Sequence, residues 1–548
     1  MPWWARFGRE LLQFEEVPLT HRRYRSALWA AALALALTGG CSPARAPGDA
    51  GAYSSPSGGV SPAAELAPLY DAALGGARRS GHEIVPDEGL ARVAEAVVRR
   101  MGEDPSHRQP AGPLIQELAW REGIVEPVPE SSSLRFSGPT PVDGLASLAA
   151  EATRGAPLNR VGLARGPMGD GTEAIVMVLS RRRLSFDAPV ARRLGVGGAL
   201  RLSGRLVDAA RGPRLMVTRP DGSTDAKALG PGPAFAGEVA LPTAGVYQVE
   251  LVAEDERGPS VLVNFPVYVG VEPPPLPASR GRAAGAPESE AEAEASLVAL
   301  TNEARKAAGR RPLEPLPALA DVARKHSVDM AEHHFIAHNS PTTGAPSDRV
   351  RRAGIGAMYV LENLGAAANA REVHEGLMGS PGHRANILDA NATHIGVGVV
   401  RDPSAGGGLI VTENFVAIAA PIDVASAPPR VLEAINRARA ARRLPALPAD
   451  AALSALARRA AARFFQGRPK AEEVTSRLNA EFAREAKGFR RARVLASVVS
   501  RLDDAVDPSD DAPFDPTVSA VGVGVAQGSR PDVGTNALFV VLLFGKGG

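Results

Sequence analysis

The chain has 548 residues, too many for one hydrophobic core, and its 45% hydrophobic and 22% charged residues are ordinary for globular protein. Its 62 Lys and Arg stand against 60 Asp and Glu, a net charge of +2, so no basic footprint points to nucleic acid as a partner. A single cysteine, Cys41, excludes an intramolecular disulfide and a Cys-based zinc site.

His21-Arg22-Arg23-Tyr24-Arg25 is basic, and residues 27–37 form an apolar run too short to span a bilayer but right for a signal-peptide core. Thr38-Gly39-Gly40-Cys41 follows and resembles a bacterial lipobox, with Thr38 where Leu is usual. Residues 1–41 are therefore expected to be a signal peptide, with Cys41 the lipidation site and membrane anchor. Plain secretion with an incidental Cys41 is the alternative. The Pro/Gly/Ser-rich stretch 42–62 reads as a flexible tether.

Beyond it, residues 63–183 read as α/β, with a helix at 90–97, a strand about Val161-Gly162-Leu163-Ala164 and another at 174–179. Residues 187–271 read as short strands: 200–207 and 247–252 alternate, 261–269 is β-rich, and turns such as Pro220-Asp221-Gly222 separate them. That spacing predicts an Ig-like β-sandwich with a spacer role. Pro273-Pro274-Pro275 opens a Pro/Ala/Glu linker over 272–292, and a second seam at 425–429 divides 293–419 from 426–547.

The last two blocks look like copies of one fold. Asn302-Glu-Ala-Arg305 opens one and Asn436-Arg-Ala-Arg439 the other. Leu313 and Leu447, Leu319 and Leu453, and Arg324 and Arg458 stand at equal offsets from those asparagines, and Ile395-Gly-Val-Gly-Val399 matches Val521-Gly-Val-Gly-Val525. Residues 63–183 are a weaker third candidate. Seven of the ten histidines lie in the middle copy and none in the last, so imidazole chemistry belongs to the middle copy.

In the middle block, helices are expected near 295–308 and 316–334. Leu319, Val322, His326, Met330 and His334 step by three or four and so share one face. His326 reads as a core histidine, His374 as surface, and His394 as a candidate to approach a cleft. Four motifs then follow in order: Phe335-Ile-Ala-His338-Asn-Ser340-Pro341 with Gly344, Leu361-Glu362-Asn363, Ser380-Pro381-Gly382-His383-Arg384-Ala385-Asn386-Ile387-Leu388, and Ile395-Gly396-Val397-Gly398.

Together these resemble the CAP superfamily (SCP, or pathogenesis-related 1-like domains) in its bacterial secreted form. The resemblance implies an α-β-α sandwich at 293–419. The whole chain then reads as α+β and multidomain, with degenerate CAP-like copies at 426–547 and 63–183 and the β-sandwich between the first and second copies. It further implies a cleft lined by His338, Glu362 and His383. Leu361 stands where the family has Gly, and the family's second Glu has no clear equivalent, with Glu375 or Ser380 nearby. Ser340, Asn363, Glu375 and Ser380 are candidate ligand contacts, although either serine could simply cap a turn or helix.

Two imidazoles and a carboxylate suit a divalent metal such as Zn²⁺, with His338 and His383 as ligands, or general acid–base work near neutral pH. Three functional readings remain. The cleft binds a lipid, cell-wall fragment or peptide; the same trio activates water as a hydrolase; or the chain is a structural, adhesive envelope protein.

Overall fold

The computed structural model describes residues 51–53, 63–104, 110, 112–127, 130–154, 157–276, 288–402, 408–467, 469–507 and 510–547. The expected signal segment and Cys41 lie outside them, as does most of the expected tether. Its described part is not free chain: Ala52–Tyr53 pairs with Val190–Ala191. The Tyr53 ring is buried in the core of the neighbouring sheets, and its hydroxyl donates to the Pro266 carbonyl at 2.7 Å. An aromatic ring with a satisfied hydroxyl is enough to fix a short segment that composition alone marks as loose. Among the described residues no helix is long and apolar enough to cross a membrane.

The first block runs α1 (Ala67–Arg79), β1 (Val85–Pro86), α2 (Glu88–Glu103), α3 (Gly112–Arg121), β2 (Glu130–Phe136), α4 (Val142–Thr153), β3 (Arg160–Pro167) and β4 (Glu173–Ser180). Asp87 caps α2 by accepting from the Leu90 N–H at 3.0 Å, and Leu90, Val93, Val97 and Met101 then fall on one buried stripe. The sheet order is β1-β3-β4-β2.

The next strands are β5 (Leu184–Phe186), β6 (Arg193–Leu194), β7 (Ala199–Leu206), β8 (Arg211–Thr218), β9 (Thr224–Ala228), β10 (Ala234–Ala240), β11 (Gly245–Asp255) and β12 (Gly258–Val269). They form two sheets, β9-β8-β11-β12-β6 and β10-β7-β5, closing on one apolar cluster. Along β11 the residues Tyr247, Val249 and Leu251 enter that cluster, so Gln248 and Glu250 face the other way.

The middle block comprises α5 (Glu290–Ala307), β13 (Glu314–Pro315), α6 (Pro317–Glu332), α7 (Pro346–Arg352), β14 (Val360–Ala367), α8 (Ala370–Met378), α9 (Pro381–Ile387), β15 (His394–Asp402) and β16 (Gly408–Val416). Helix α5 begins five residues earlier than its sequence pattern indicates, because Ser289 and Glu292 form a reciprocal capping box inside the expected linker. The buried face of α6 holds Leu319, Val322, His326 and Met330. His334 does not join them; it lies past the helix end with φ +53° and is exposed. The sheet order is β13-β15-β16-β14.

The last block holds α10 (Ala427–Ala441), α11 (Ala451–Phe465), α12 (Ala471–Glu485), β17 (Phe489–Val499), β18 (Ala520–Arg530) and β19 (Gly534–Gly547). Its sheet is β17-β19-β18, and Ala449 bridges Val521 in parallel at the free edge, where β13 pairs β15 in the middle block. The acidic residues of 503–511 are not all in solvent: Asp503 meets Arg311 at 2.8 Å, and Asp510 is buried.

The three sheets share detailed contacts. A Cβ on Gly162, Gly396 or Gly522 would stand 2.0, 2.3 or 2.2 Å from the backbone carbon of Leu90, Leu319 or Leu453, so each strand needs glycine to lie against its helix. Asn302 exchanges two hydrogen bonds with the Leu313 backbone (2.8 and 3.1 Å), and Asn436 does so with Leu447 (2.8 and 3.0 Å). Buried Arg305 donates to the carbonyls of Arg311, Ile387 and Asp389, while Arg439 donates to those of Pro445, Pro513 and Asp515.

Candidate functional site

Strand β14 carries Glu362 and Asn363 to opposite faces of the sheet. Glu362 is buried against α6 and α7 with both oxygens engaged. Oε1 accepts from His338 Nδ1 at 3.0 Å, and Oε2 accepts from Arg349 Nη2 at 2.6 Å. Burial alone would raise its pKa. The His338 hydrogen bond and the charges of Arg349, His338 and His326 outweigh it and hold the carboxyl below its usual range. A carboxylate only accepts, so His338 Nδ1 carries a proton and Nε2 is the ring nitrogen left for a ligand.

Arg349, on α7, also donates to the carbonyls of His338 (3.0 Å) and Gly344 (2.6 Å), so one guanidinium holds both the carboxylate and the loop that carries the imidazole. His326 Nε2 lies 3.0 Å from the Ala337 carbonyl and 3.9 Å from Glu362 Oε1; burial, the largest influence, lowers its pKa. It braces the loop from below, in keeping with a core histidine.

His383 rides on α9. Asn363 Nδ2 donates to the His383 carbonyl at 3.2 Å, and Asn386 Nδ2 donates to Asn363 Oδ1 at 3.0 Å, tying α9 to β14. Burial first, and then the charge of His338, push the His383 pKa down to about 4, so the ring is neutral at pH 7. The fold thus brings His338 and Glu362 into contact and His383 within electrostatic reach of His338.

Other expected site residues fall elsewhere. Glu375 is exposed on α8, whose buried face is Ala370, Val373 and Leu377, so it points away from the cleft. Ser340 Oγ donates to Asp329 Oδ2 at 2.5 Å and accepts from the Thr342 and Thr343 N–H groups, which is the work of a turn holder. Ser380 Oγ donates to Glu250 of β11. His394 sits at the sheet edge near Glu314, 3.7 Å away, and outside the cleft. His374 is half-buried rather than on the surface.

Sequence reasoning missed Arg349, Asp329, Glu250 and Glu413. Glu413, on β16, is fully buried; burial raises its pKa to about 7, and Asn363 Nδ2 reaches it at 3.3 Å. Only the register of β16 against β14, which pairs Glu413 with Asn363, betrays it.

A metal fits this set poorly. Glu362 is committed to His338 and Arg349, and among the described residues no group of three or more His, Cys, Asp or Glu side chains could hold an ion. The two motif serines, Ser340 and Ser380, each donate their hydroxyl to a carboxylate.

Residues 298–416 match the family model described as CAP, the cysteine-rich secretory protein family. The uncharacterized protein YkwD of Bacillus subtilis (strain 168) is 39% identical over 121 residues, which cover 22% of this chain and 45% of that protein. The uncharacterized membrane protein YlbC of the same organism is 32% identical over 121 residues, covering 22% of this chain and 33% of that protein. The chain therefore spans less than half the length of either relative. A solved extracellular protein containing a SCP domain from Bacillus anthracis str. Ames aligns at 20% identity and a TM-score of 0.22, over 40% of this chain and 81% of that one. On the family match and the four motifs in order, residues 298–416 are a CAP domain.

Proposed function

We propose that the middle block binds a neutral, hydroxyl- or amide-bearing ligand of the cell envelope, a cell-wall fragment or peptide, through His338 and His383. The observation that carries this reading is the fixed orientation of the His338 ring. Its Nδ1–H is taken by a buried carboxylate that Arg349 also binds, so Nε2 is left as one directed hydrogen-bonding atom. Beside it stands a neutral His383. Such a pair is suited to hydrogen-bonding a hydroxyl or amide, each of which both donates and accepts. Blocks 63–183 and 426–547 are, in this reading, companion copies of the same fold that retain its anchors. Residues 1–41 export the chain, and Cys41 is lipidated.

The test is binding of the full chain to soluble peptidoglycan fragments, compared with His338→Ala and His383→Ala. The expected result is loss of binding in both with unchanged folding. Equal binding in all three proteins would remove the cleft as the site. Turnover of the fragments, lost in the same variants, would instead favour the hydrolase. Radiolabelled palmitate incorporation, absent in Cys41→Ala, checks the anchor.

A further inference from the structure

The cleft has a second wall that comes from outside the middle block. The sheet β9-β8-β11-β12-β6 touches the two chain segments that carry the imidazoles. At one rim, the Asn339 N–H donates to the Arg257 carbonyl at 2.9 Å, and Asn339 Nδ2 donates to the Glu256 carbonyl at 3.0 Å. A Cβ on Gly258 would stand 3.1 Å from the Cβ of His338, so the β11–β12 turn lies directly on that residue.

At the other rim, Glu250 of β11 is fully buried. It accepts from the Gly382 N–H at 3.0 Å and from the Ser380 hydroxyl, while Asn264 Nδ2 donates to the Gly379 carbonyl at 3.2 Å. Arg384 reaches the Gly222 carbonyl at 3.3 Å. The sheet therefore grips the residue immediately after His338 and the residue immediately before His383.

Glu250 is an outward-facing residue of its strand, pointing away from the apolar cluster that holds the two sheets together. The middle block packs over it there, while Asn264 of β12 also donates to it at 3.2 Å. A carboxylate carried out of water onto three donors, with no ion-pair partner among the described residues, makes a docking contact that is specific but weak for its burial.

We propose that the β-sandwich is an intramolecular cover of the His338–His383 cleft, and that ligand access requires the sheet to swing off α9 and the 338–339 loop. This rests on the cleft being the binding site, but its test does not. The probe is diethyl pyrocarbonate, which acylates imidazole nitrogen, applied to the full chain and read peptide by peptide by mass spectrometry.

Two perturbations bracket the parent. Glu250→Lys sets a cation against the start of α9 and leaves the sandwich core untouched. Arg257→Cys with Asn339→Cys, in a Cys41→Ser background, locks the rim by a disulfide, since the backbone hydrogen bond already joins those two residues. Glu250→Lys should raise modification of His338 and His383 about tenfold, the gain expected when two hydrogen bonds to a buried carboxylate are lost from a closed state. The locked protein should fall below the parent and recover on reduction. His326, beneath α6, reports unfolding and should stay unreactive throughout. Parent-like rates in Glu250→Lys, or rates in the locked protein that ignore reduction, would overturn the cover. Raised access in Glu250→Lys with no binding of peptidoglycan fragments by any form would keep the cover and sink the binding reading instead.

Discussion

Arg349→Met is the sharpest probe of the site, because the side chain it removes is 5% exposed and stands against a carboxylate that is 2% exposed. Methionine keeps most of the stem volume, so the loss is chiefly electrostatic. Three donated hydrogen bonds disappear, and Glu362 is left as a buried carboxylate without its cation. Breaking a buried pair from one side costs about 3–5 kcal/mol, far more than the ~0–1 kcal/mol of a surface pair. Adding Glu362→Gln to Arg349→Met removes the stranded charge and should restore more than half of the deficit, a coupling of about 1–3 kcal/mol in the double-mutant cycle.

The pH dependence follows from the depressed pKa of Glu362, whose ordinary value is 4.5. In the parent, the stability from that depression is present above about 4.5 and is lost as pH falls through the lower folded value. The deficit of Arg349→Met should therefore be full at pH 7 and shrink in acid. The assay is native-state amide exchange of the full chain, read on peptides from α7 and β14, which isolates this block from the others. A deficit under about 1 kcal/mol, or a strictly additive cycle, would falsify the claim that the pair is desolvated.

Three more outcomes follow from the same coordinates. Gly398→Ala puts a Cβ 2.0 Å from the Arg324 nitrogen, backbone against backbone, and should destabilise the block by about 3 kcal/mol or more by amide exchange; Gly376→Ala on α8, with nothing within 4 Å, should gain about 0.5–1 kcal/mol. Glu413 has its carboxyl raised by burial from 4.5 to about 7, so it makes stability fall as pH climbs through that window and then level off; Glu413→Gln should flatten the slope, by a few kcal/mol at most, and an unchanged slope would reassign it. His383 should titrate near 4 by NMR of labelled imidazole, and a midpoint near 6.5 in the parent would place the ring in solvent rather than against the sandwich.

What the sequence discloses about this site follows from how each residue is held. His338, Glu362 and His383 are legible because each sits in a short motif that resembles the CAP family's, and the motifs keep the family's order. Arg349 is not legible, because one arginine among many carries no local mark; its role appears only when α7 folds back against β14. Glu250 is further out of reach, since it belongs to a different block and meets Gly382 by docking alone. Glu375 misleads for a geometric reason. It lies near the motif along the chain, yet the buried stripe of α8 is set by Ala370, Val373 and Leu377, which turns position 375 to solvent. The strand glycines, by contrast, carry a plain signal, because helix-on-strand contact at that distance leaves no room for a Cβ.

The same division separates what the similar sheets share from what the middle block alone carries. The asparagine that clasps the loop after the first helix, the arginine that fastens the strand entry, and the glycines under the second helix recur at Asn302 and Asn436, at Arg305 and Arg439, and at Gly396 and Gly522. These residues hold the fold together and say nothing about a ligand. The segments that differ are those that carry imidazole. Where Arg305 meets the end of α9, Arg439 meets Pro513 and Asp515 beside a three-residue 3₁₀ turn, Ala512–Phe514, too short to present a histidine as α9 does. Helix α9 is also what the sandwich grips through Glu250. The element that sets the middle block's histidine segment apart from the last block is therefore also the element that the neighbouring sheet touches through Glu250.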